Sequence, residues 1–353
     1  MLVLGIESSC DETAAAVVKD GKQLLSNVVA SSMDIQAQYG GVVPEIAARS
    51  HMEAVMPVIQ KALDDAGCTW DDIAAIAVTY GAGLNGSLLI GVMAARTLAI
   101  VKNKPLYAIN HVEAHIYANF LTETGLTDYA MRSAAPEFPM LGLIVSGGHS
   151  QLVVWHGHFD YKLLGQTQDD AVGEAFDKVA KIIGLPYPGG ISVSVRARDG
   201  DPLRYELPKA RMEHKYDFSF SGLKTAVLRT AQSAVGKDFS LPSIELPSLL
   251  SDKQKDDIAA SFERVAYETL VDKTVLAFEE FAPKSFVVGG GVAANAELRR
   301  QLAERLPLPI EYPDRKLCGD NGAMVATLGC YHALLGQPTA DPYTLETAPN
   351  LSM

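Results

Sequence analysis

Apolar and polar positions fall in blocks along this chain, and two of the blocks share one design. LVLGI at 2–6 meets a polar turn, ESSCDET at 7–13, and then a second apolar run, AAAVV at 14–18. At 141–155 the order returns as LGLIV, SGGHS and QLVVW. Short β-rich runs on either side of a tip built of Ser, Gly and polar residues predict hairpins. A further strand opens SFVVGGGVAANAELRR (285–300), where three glycines lead into a helix-forming segment. Two hairpins of one design in separate halves predict a duplicated fold with a cleft between the copies.

Helical spacing predicts helices over 44–66, 87–102, 169–183, 256–280 and 321–335. The first opens with Pro44 in its first turn and stops before Gly67, with Pro57 expected to kink it. The third starts at paired aspartates, lines up Val172, Ala175, Phe176, Val179 and Ile183, and stops at Gly184 and Pro186. Periodicity is lost between about 121 and 139, which marks a connection between halves. The expected division is a first lobe over 1–128, a second over 138–320, and a helical segment over 321–353 packing back on the first. Strands alternating with helices favour an α/β class.

Composition narrows the class. The chain has 353 residues, 48% hydrophobic and 20% charged, enough for about two globular domains and too apolar for disorder. A net charge of −12 argues against coating nucleic acid or anionic membrane through the overall field. The best local basic patch is 196–215, with six Lys/Arg against four acids, and a mixed exposed loop explains it equally well. Cys10, Cys68, Cys318 and Cys330 lie far apart without CxxC spacing, as reduced cytosolic thiols do. The run 1–6 is cut by Glu7 and has no basic flank, unlike a signal peptide. Leu88–Val101 contains Arg96 and falls short of the ~20 residues of a membrane span, so a core helix is expected. The expected setting is cytoplasmic, with no membrane partner.

Candidate chemistry is concentrated in a few places. In NHVEAHIYANF (110–120), His111 and His115 stand four apart, so on a helix both imidazoles project from one face and can share a metal. Two histidines packing on a helix would read the same. A zincin is excluded on spacing, because Val112 and Ala114 hold the places its glutamate needs and Glu113 lies about 200° round the helix from each histidine. His156 and His158 read as one strand face. The glycine tips at 81–87, 146–150 and 289–295 expose backbone N–H groups that suit an anion, although none is a Walker or Rossmann loop. With Asp11 and Glu12 at the first tip, they describe a nucleotide held between two lobes. Asp177 stands four before Lys181 and on spacing alone is a surface charge.

GIESSCDETAAAVV, GGVVPEIAAR, GSLLIG, NHVEAH, VSGGHSQL, DDAVGEAFDKVAKIIGLPYPGG, DFSFSGLKTAV, VVGGGVAANAELR and GDNGAM follow one another from Gly5 to Met324. Together they resemble the bacterial tRNA threonylcarbamoyladenosine transferase (TsaD) family, once labelled glycoproteases. The resemblance implies an α/β fold like the actin, Hsp70 and sugar-kinase (ASKHA) group, with duplicated RNase H-like domains. It implies Asp320 as a third metal ligand beside His111 and His115. It also implies that Ile144, Val145, Ser146, Gly147, Gly148, Asp177, Gly190 and Asn295 contact an adenylate, which reverses the surface reading of Asp177.

The implied reaction moves threonylcarbamoyl from L-threonylcarbamoyl-adenylate to N6 of the adenosine just 3′ of the anticodon in tRNAs reading codons that begin with A, and AMP leaves. Two imidazoles and a carboxylate suit Fe(II) or Zn(II), with Fe(II) the favoured expectation. Asp11 and Glu12 are expected to manage protons near the phosphate. Implied partners are tRNA, a paralogous ASKHA-fold dimerisation partner (TsaB-like) and a small P-loop ATPase (TsaE-like). The segment 86–100 is the candidate dimer face, with core packing as the alternative. An ATP-dependent small-molecule kinase or a nucleotide-gated binding protein would share the fold. The chain departs from the family at Ala82 and Ala114, where Pro and Gly are usual, at Asn85, and across 191–200.

Overall fold

The computed structural model describes residues Met1–Met353. The chain opens with β1 (Leu2–Glu7), β2 (Glu12–Lys19), β3 (Gln23–Ser31), the short α1 (Met33–Ala37), α2 (Pro44–Ala66), β4 (Ile73–Gly81), α3 (Asn85–Lys102), β5 (Leu106–Asn110), α4 (His111–Tyr117) and the two-residue β6 (Glu123–Thr124). It continues through β7 (Met140–Val145), β8 (Ser150–Gly157), β9 (Asp160–Gln166), α5 (Val172–Ile183), α6 (Gly189–Ala197), α7 (Ser221–Ala234), the one-turn α8 (Leu246–Leu249), α9 (Asp252–Phe281), β10 (Ser285–Gly289), α10 (Ala296–Arg305) and α11 (Gly322–Leu334). Two compact units result, Met1–Pro136 with Glu311–Met353, and Glu137–Ile310.

Both units use one strand plan. In the first, β4-β1-β2-β3 forms the middle of a six-stranded sheet, β1 antiparallel to β2, β2 antiparallel to β3, and β4 parallel to β1. In the second, β10-β7-β8-β9 repeats those senses. Each predicted hairpin is therefore the start of an antiparallel meander flanked by a parallel strand.

The unbroken apolar run of β1 has a simple cause. In the first unit α11 packs on one face of the sheet and α2 and α3 lie against the other, so a central strand has no wet face. Gly5 lets α11 approach, since a Cβ there would lie 2.3 Å from the Ala326 nitrogen. Pro44 opens α2, and Gly67 ends it at φ 63 in the left-handed region.

Several boundaries differ from the sequence reading. Helix α5 starts at Val172, because Asp169 and Asp170 are engaged elsewhere. Asp169 accepts from Ser219 Oγ, Ser221 Oγ and the Phe220 nitrogen, and Asp170 pairs with Lys178 and Lys224. His156 ends on β8 while His158 lies in the turn beyond it. The last helix stops at Leu334, where Gly336 turns left-handed at φ 69 and Pro338 follows, so 337–353 runs irregularly over the first unit. Residues 311–320 lie with the first unit rather than the second. Arg132 draws them there, donating to Asn119 Oδ1 and to the Glu311 carbonyl, while the Ala130 nitrogen donates to Asp314.

Candidate functional site

Asn110 closes β5 and caps α4, its Oδ1 accepting from the Val112 and Glu113 nitrogens. His111 is the first residue of the helix and His115 lies one turn on, their ring centroids 4.6 Å apart in an edge-on pair. Asp320 arrives from the other end of the unit's chain. Its neighbour Asn321 caps α11 by accepting from the Met324 nitrogen and donates to the Leu317 and Gly319 carbonyls, which fixes the turn.

The Asp320 Oδ1 atom is 3.6 Å from His111 Nε2 and 3.4 Å from His115 Nε2, and one ligand atom from each residue falls within 4.8 Å of the others. Donors about 2.1 Å from a tetrahedral ion are spaced about 3.4 Å apart, so the set has the dimensions of a metal centre. The surroundings fit the same group. Both ring nitrogens of His115 are buried without a hydrogen-bond partner, a state that is costly unless a cation takes a lone pair. His111 Nδ1 lies 3.1 Å from Glu7 Oε2, so its proton is held there and the Nε2 lone pair faces Asp320.

Sequence reasoning did not single out Glu7. It is fully buried at the end of β1 and accepts from Thr79 Oγ1 at 2.6 Å and from the Ser9 nitrogen. Burial opposes its charge, yet His111 and Thr79 hold the carboxyl below the usual range. With no cation in place, burial opposes the charge on His111 but Asp320 and Glu7 push its pKa up to about 9, so a cation arriving at Nε2 displaces the proton there. Ser9 Oγ completes this shell 3.2 Å from His111 Nδ1. The available signal was an acidic residue closing an otherwise apolar strand. Glu113, excluded on spacing, is outside the three-ligand group, and burial alone pushes it up to about 7. Asp11 and Glu12 lie beside the centre. Burial, a hydrogen bond to Asp11 and the charge of Asp320 push Glu12 up to about 10, so it keeps its proton at neutral pH.

In the second unit the glycine tip closes on itself. The Ser146 nitrogen donates to the His149 carbonyl and the His149 nitrogen to Ser146 Oγ, which leaves Gly147 and Gly148 exposed. Other glycines crowd its base. A Cβ on Gly290, at φ 94, would lie 2.3 Å from the Val145 carbonyl, and one on Gly173 would lie 2.7 Å from the Ser146 carbonyl. Ile144–Gly148, the start of α5 and the turn after β10 thus meet as bare backbone, a cradle suited to an anion.

The remaining candidates join through hydrogen bonds. Asp177 Oδ1 accepts from the Gly189 nitrogen at 2.7 Å, beside Gly190. Ser194 Oγ lies 2.8 Å from the Gly190 carbonyl and 2.6 Å from Glu263 Oε1. Asn295 Nδ2 donates to both Ser194 Oγ and Glu263 Oε1, while its Oδ1 caps α10. The side-chain amide of Asn295 is thereby filled, and it ties the glycine turn to α6. Glu263 gave no sequence signal because it sits among the apolar residues of α9. Burial raises its pKa against the pull of Ser194 and Asn295. Half of the basic segment is neutralised: Arg196 pairs with Asp252 and Asp256, Lys209 with Glu268 and Asp272, and Lys215 with Glu280.

A family model described as tRNA N6-adenosine threonylcarbamoyltransferase matches residues 23–327. Proteins of that name from Thermomicrobium roseum and Symbiobacterium thermophilum are 48% and 50% identical, covering 95% and 94% of this chain and 93% and 91% of their own. One from Dehalococcoides mccartyi is 45% identical over 100% of this chain and 99% of its own. Among solved structures, the ADPNP-bound activator of the 2-hydroxyisocaproyl-CoA dehydratase from Clostridium difficile aligns with TM-score 0.51 at 13% identity, covering 96% of this chain and 97% of its own. Full-length HypF aligns with TM-score 0.57 at 13% identity, covering 94% of this chain and 55% of its own. These likenesses support the fold: duplicated RNase H-like units of the actin, Hsp70 and sugar-kinase class.

Proposed function

The chain belongs to the family of tRNA N6-adenosine threonylcarbamoyltransferases, and from that premise we propose how its own residues carry the reaction. It is an acyltransferase of tRNA modification, placing a threonylcarbamoyl group on N6 of adenosine. The small-molecule kinase and the nucleotide-gated binding protein are not favoured, because near-full-length relatives at 45–50% identity carry the transferase name.

We assign a divalent ion to His111, His115 and Asp320, and the carrying observation is His115, whose buried ring nitrogens lack hydrogen-bond partners beside Asp320. Two imidazoles and one carboxylate suit Fe(II) or Zn(II), and Fe(II) is the ion we propose. A divalent ion so held would supply electrostatic stabilisation of developing negative charge. Glu7 keeps the proton on His111 Nδ1, which holds that ring in its ligating orientation.

The adenylate donor is assigned to Ile144, Val145, Ser146, Gly147, Gly148, Asp177, Gly190 and Asn295, the last by van der Waals contact because its amide already bonds Ser194 and Glu263. An anion-binding backbone cradle at the glycine tip supports this reading. The exocyclic amine of adenosine is a weak nucleophile, so orientation against the carbamoyl carbon supplies much of the acceleration. As the new C–N bond forms, the bond from that carbon to the adenylate oxygen breaks, AMP departs and N6 gives up a proton. Asp11 and Glu12, hydrogen-bonded to each other near Asp320, are the carboxyl pair we assign to holding protons there.

The proposed partners are tRNA, a paralogous ASKHA-fold protein and a small P-loop ATPase. For tRNA, the exposed Arg198, Arg204 and Arg211 supply local positive charge. For the paralogue, α3 exposes Leu89, Met93, Ile100 and Val101 next to Met52 and Met56 of α2, an apolar face on neighbouring helices. The ATPase is carried over from the family resemblance. A cytoplasmic setting fits four free cysteines and a tRNA substrate. The test combines the chain with L-threonylcarbamoyl-adenylate, unmodified tRNA and these partners, and follows the modified nucleoside by mass spectrometry. His111→Ala and Asp320→Ala are expected to lower product formation at least 100-fold. Wild-type rates in both would refute the metal assignment.

A further inference from the structure

Arg96 is the one charged residue in the apolar stretch 88–101 of α3. All three of its guanidinium nitrogens donate to backbone carbonyls of the segment after α11: Nε to Pro342 and Nη2 to Tyr343, each at 2.6 Å, and Nη1 to Leu345 at 3.1 Å. The same segment is fastened along its length. The Ala340 nitrogen donates to the Leu106 carbonyl on the edge strand β5, and Thr347 Oγ1 to Asn85 Oδ1. Further along, the Ala348 nitrogen donates to the Tyr80 carbonyl, and the Gly83 nitrogen to the Pro349 carbonyl. Gly81 has no room for a side chain, because a Cβ there would lie 2.1 Å from the Ala348 carbonyl oxygen. The last fastening is the Ser352 carbonyl, which accepts from Asn110 Nδ2 at 3.1 Å.

We propose that residues 340–352 form a strap that sets the position of the metal-ligating helix α4 through Asn110, which makes Arg96 and Asn110 positioning residues for the metal centre. The inference rests on the assignment of a metal to His111, His115 and Asp320.

Helix α4 has seven residues, well below the roughly 12–15 that an isolated helix needs, so its cap and packing place it. Only Asn110 Oδ1 can accept from the Val112 and Glu113 nitrogens, so Nδ2 must face away from the helix, where Ser352 meets it. Without the strap this amide loses its outer anchor and the first turn frays at His111. Asp320 belongs to a different element, so displacement of α4 alone opens the ligand set.

Co(II) serves as the probe in the full chain, titrated by its visible absorption, with amide hydrogen exchange as a second readout. Arg96→Gln removes the clasp, and Ala348→Pro, on the strap itself, removes the N–H that the Tyr80 carbonyl accepts. Both are expected to bind Co(II) at least tenfold more weakly than wild type and to exchange faster at 111–117. Arg49→Gln, which breaks only an exposed pair with Glu45 on α2, should match wild type. If Arg96→Gln loses its far-UV circular dichroism, Arg96→Lys replaces it, since one ammonium cannot span three carbonyls. Co(II) affinity within twofold of wild type in either strap variant overturns the proposal. Failure of the wild-type chain to bind Co(II) refutes the metal assignment itself, a separate outcome.

Discussion

Glu7 shows what one buried carboxylate contributes to a ligand it touches. It accepts from His111, Thr79 and Ser9, so both carboxylate oxygens have a donor. In Glu7→Gln the shape is kept, but an amide N–H2 replaces one acceptor and confronts a donor. Metal affinity is expected to fall about 10–100-fold while the fold persists, measured by competition against a chromophoric chelator. At this scale the sequence was legible where spacing carries geometry. His111 and His115 share a helix face because they stand four apart. Asp320, distant in sequence, came only with the family resemblance, since no period relates it to α4. Glu7 passed as the boundary of an apolar run, because burial on all sides cannot be read from its neighbours.

Elements were read best where their ends carry chemistry. Helix α2 runs Pro44–Ala66 between a first-turn proline and a left-handed glycine. Helix α5 begins three residues later than its aspartates suggested, because Asp169 and Asp170 bind a segment that sequence pattern does not bring near. Gly5 looked like one small residue in a strand, and the structure gives it a task in seating α11. A methyl group there would meet the Ala326 nitrogen and the Gly322 carbonyl at 2.3 and 2.4 Å, backbone atoms that cannot rotate aside. Gly5→Ala is expected to destabilise the chain by about 3 kcal/mol, seen as a lower denaturant midpoint. Helix α11 also carries an acid-sensitive group, His332, which packs near Tyr107. Burial holds its pKa down to about 4, against about 6.5 when unfolded. The unfolded chain therefore takes up this proton first, and the stability contributed is full above about pH 6.5 and lost as the pH falls toward 4. His332→Leu should flatten that part of the stability–pH curve, measured by denaturant midpoints at several pH values.

For the whole molecule, the duplicated plan was visible as two apolar hairpins of one design, and the repeated strand order accounts for it. The course of the chain after α11 was not visible, since 337–353 lacks any period and is held by carbonyls and side chains of other elements. The net charge of −12 and the pairing of three of the six cations in 196–215 make tRNA docking a local matter. All of this converges on one centre, which metal analysis of the protein purified without oxygen tests most directly. The account predicts about one divalent ion per wild-type chain, consistent with a single three-ligand set, and loss of that ion in both His111→Ala and Asp320→Ala. Equal metal content in wild type and both variants would contradict it.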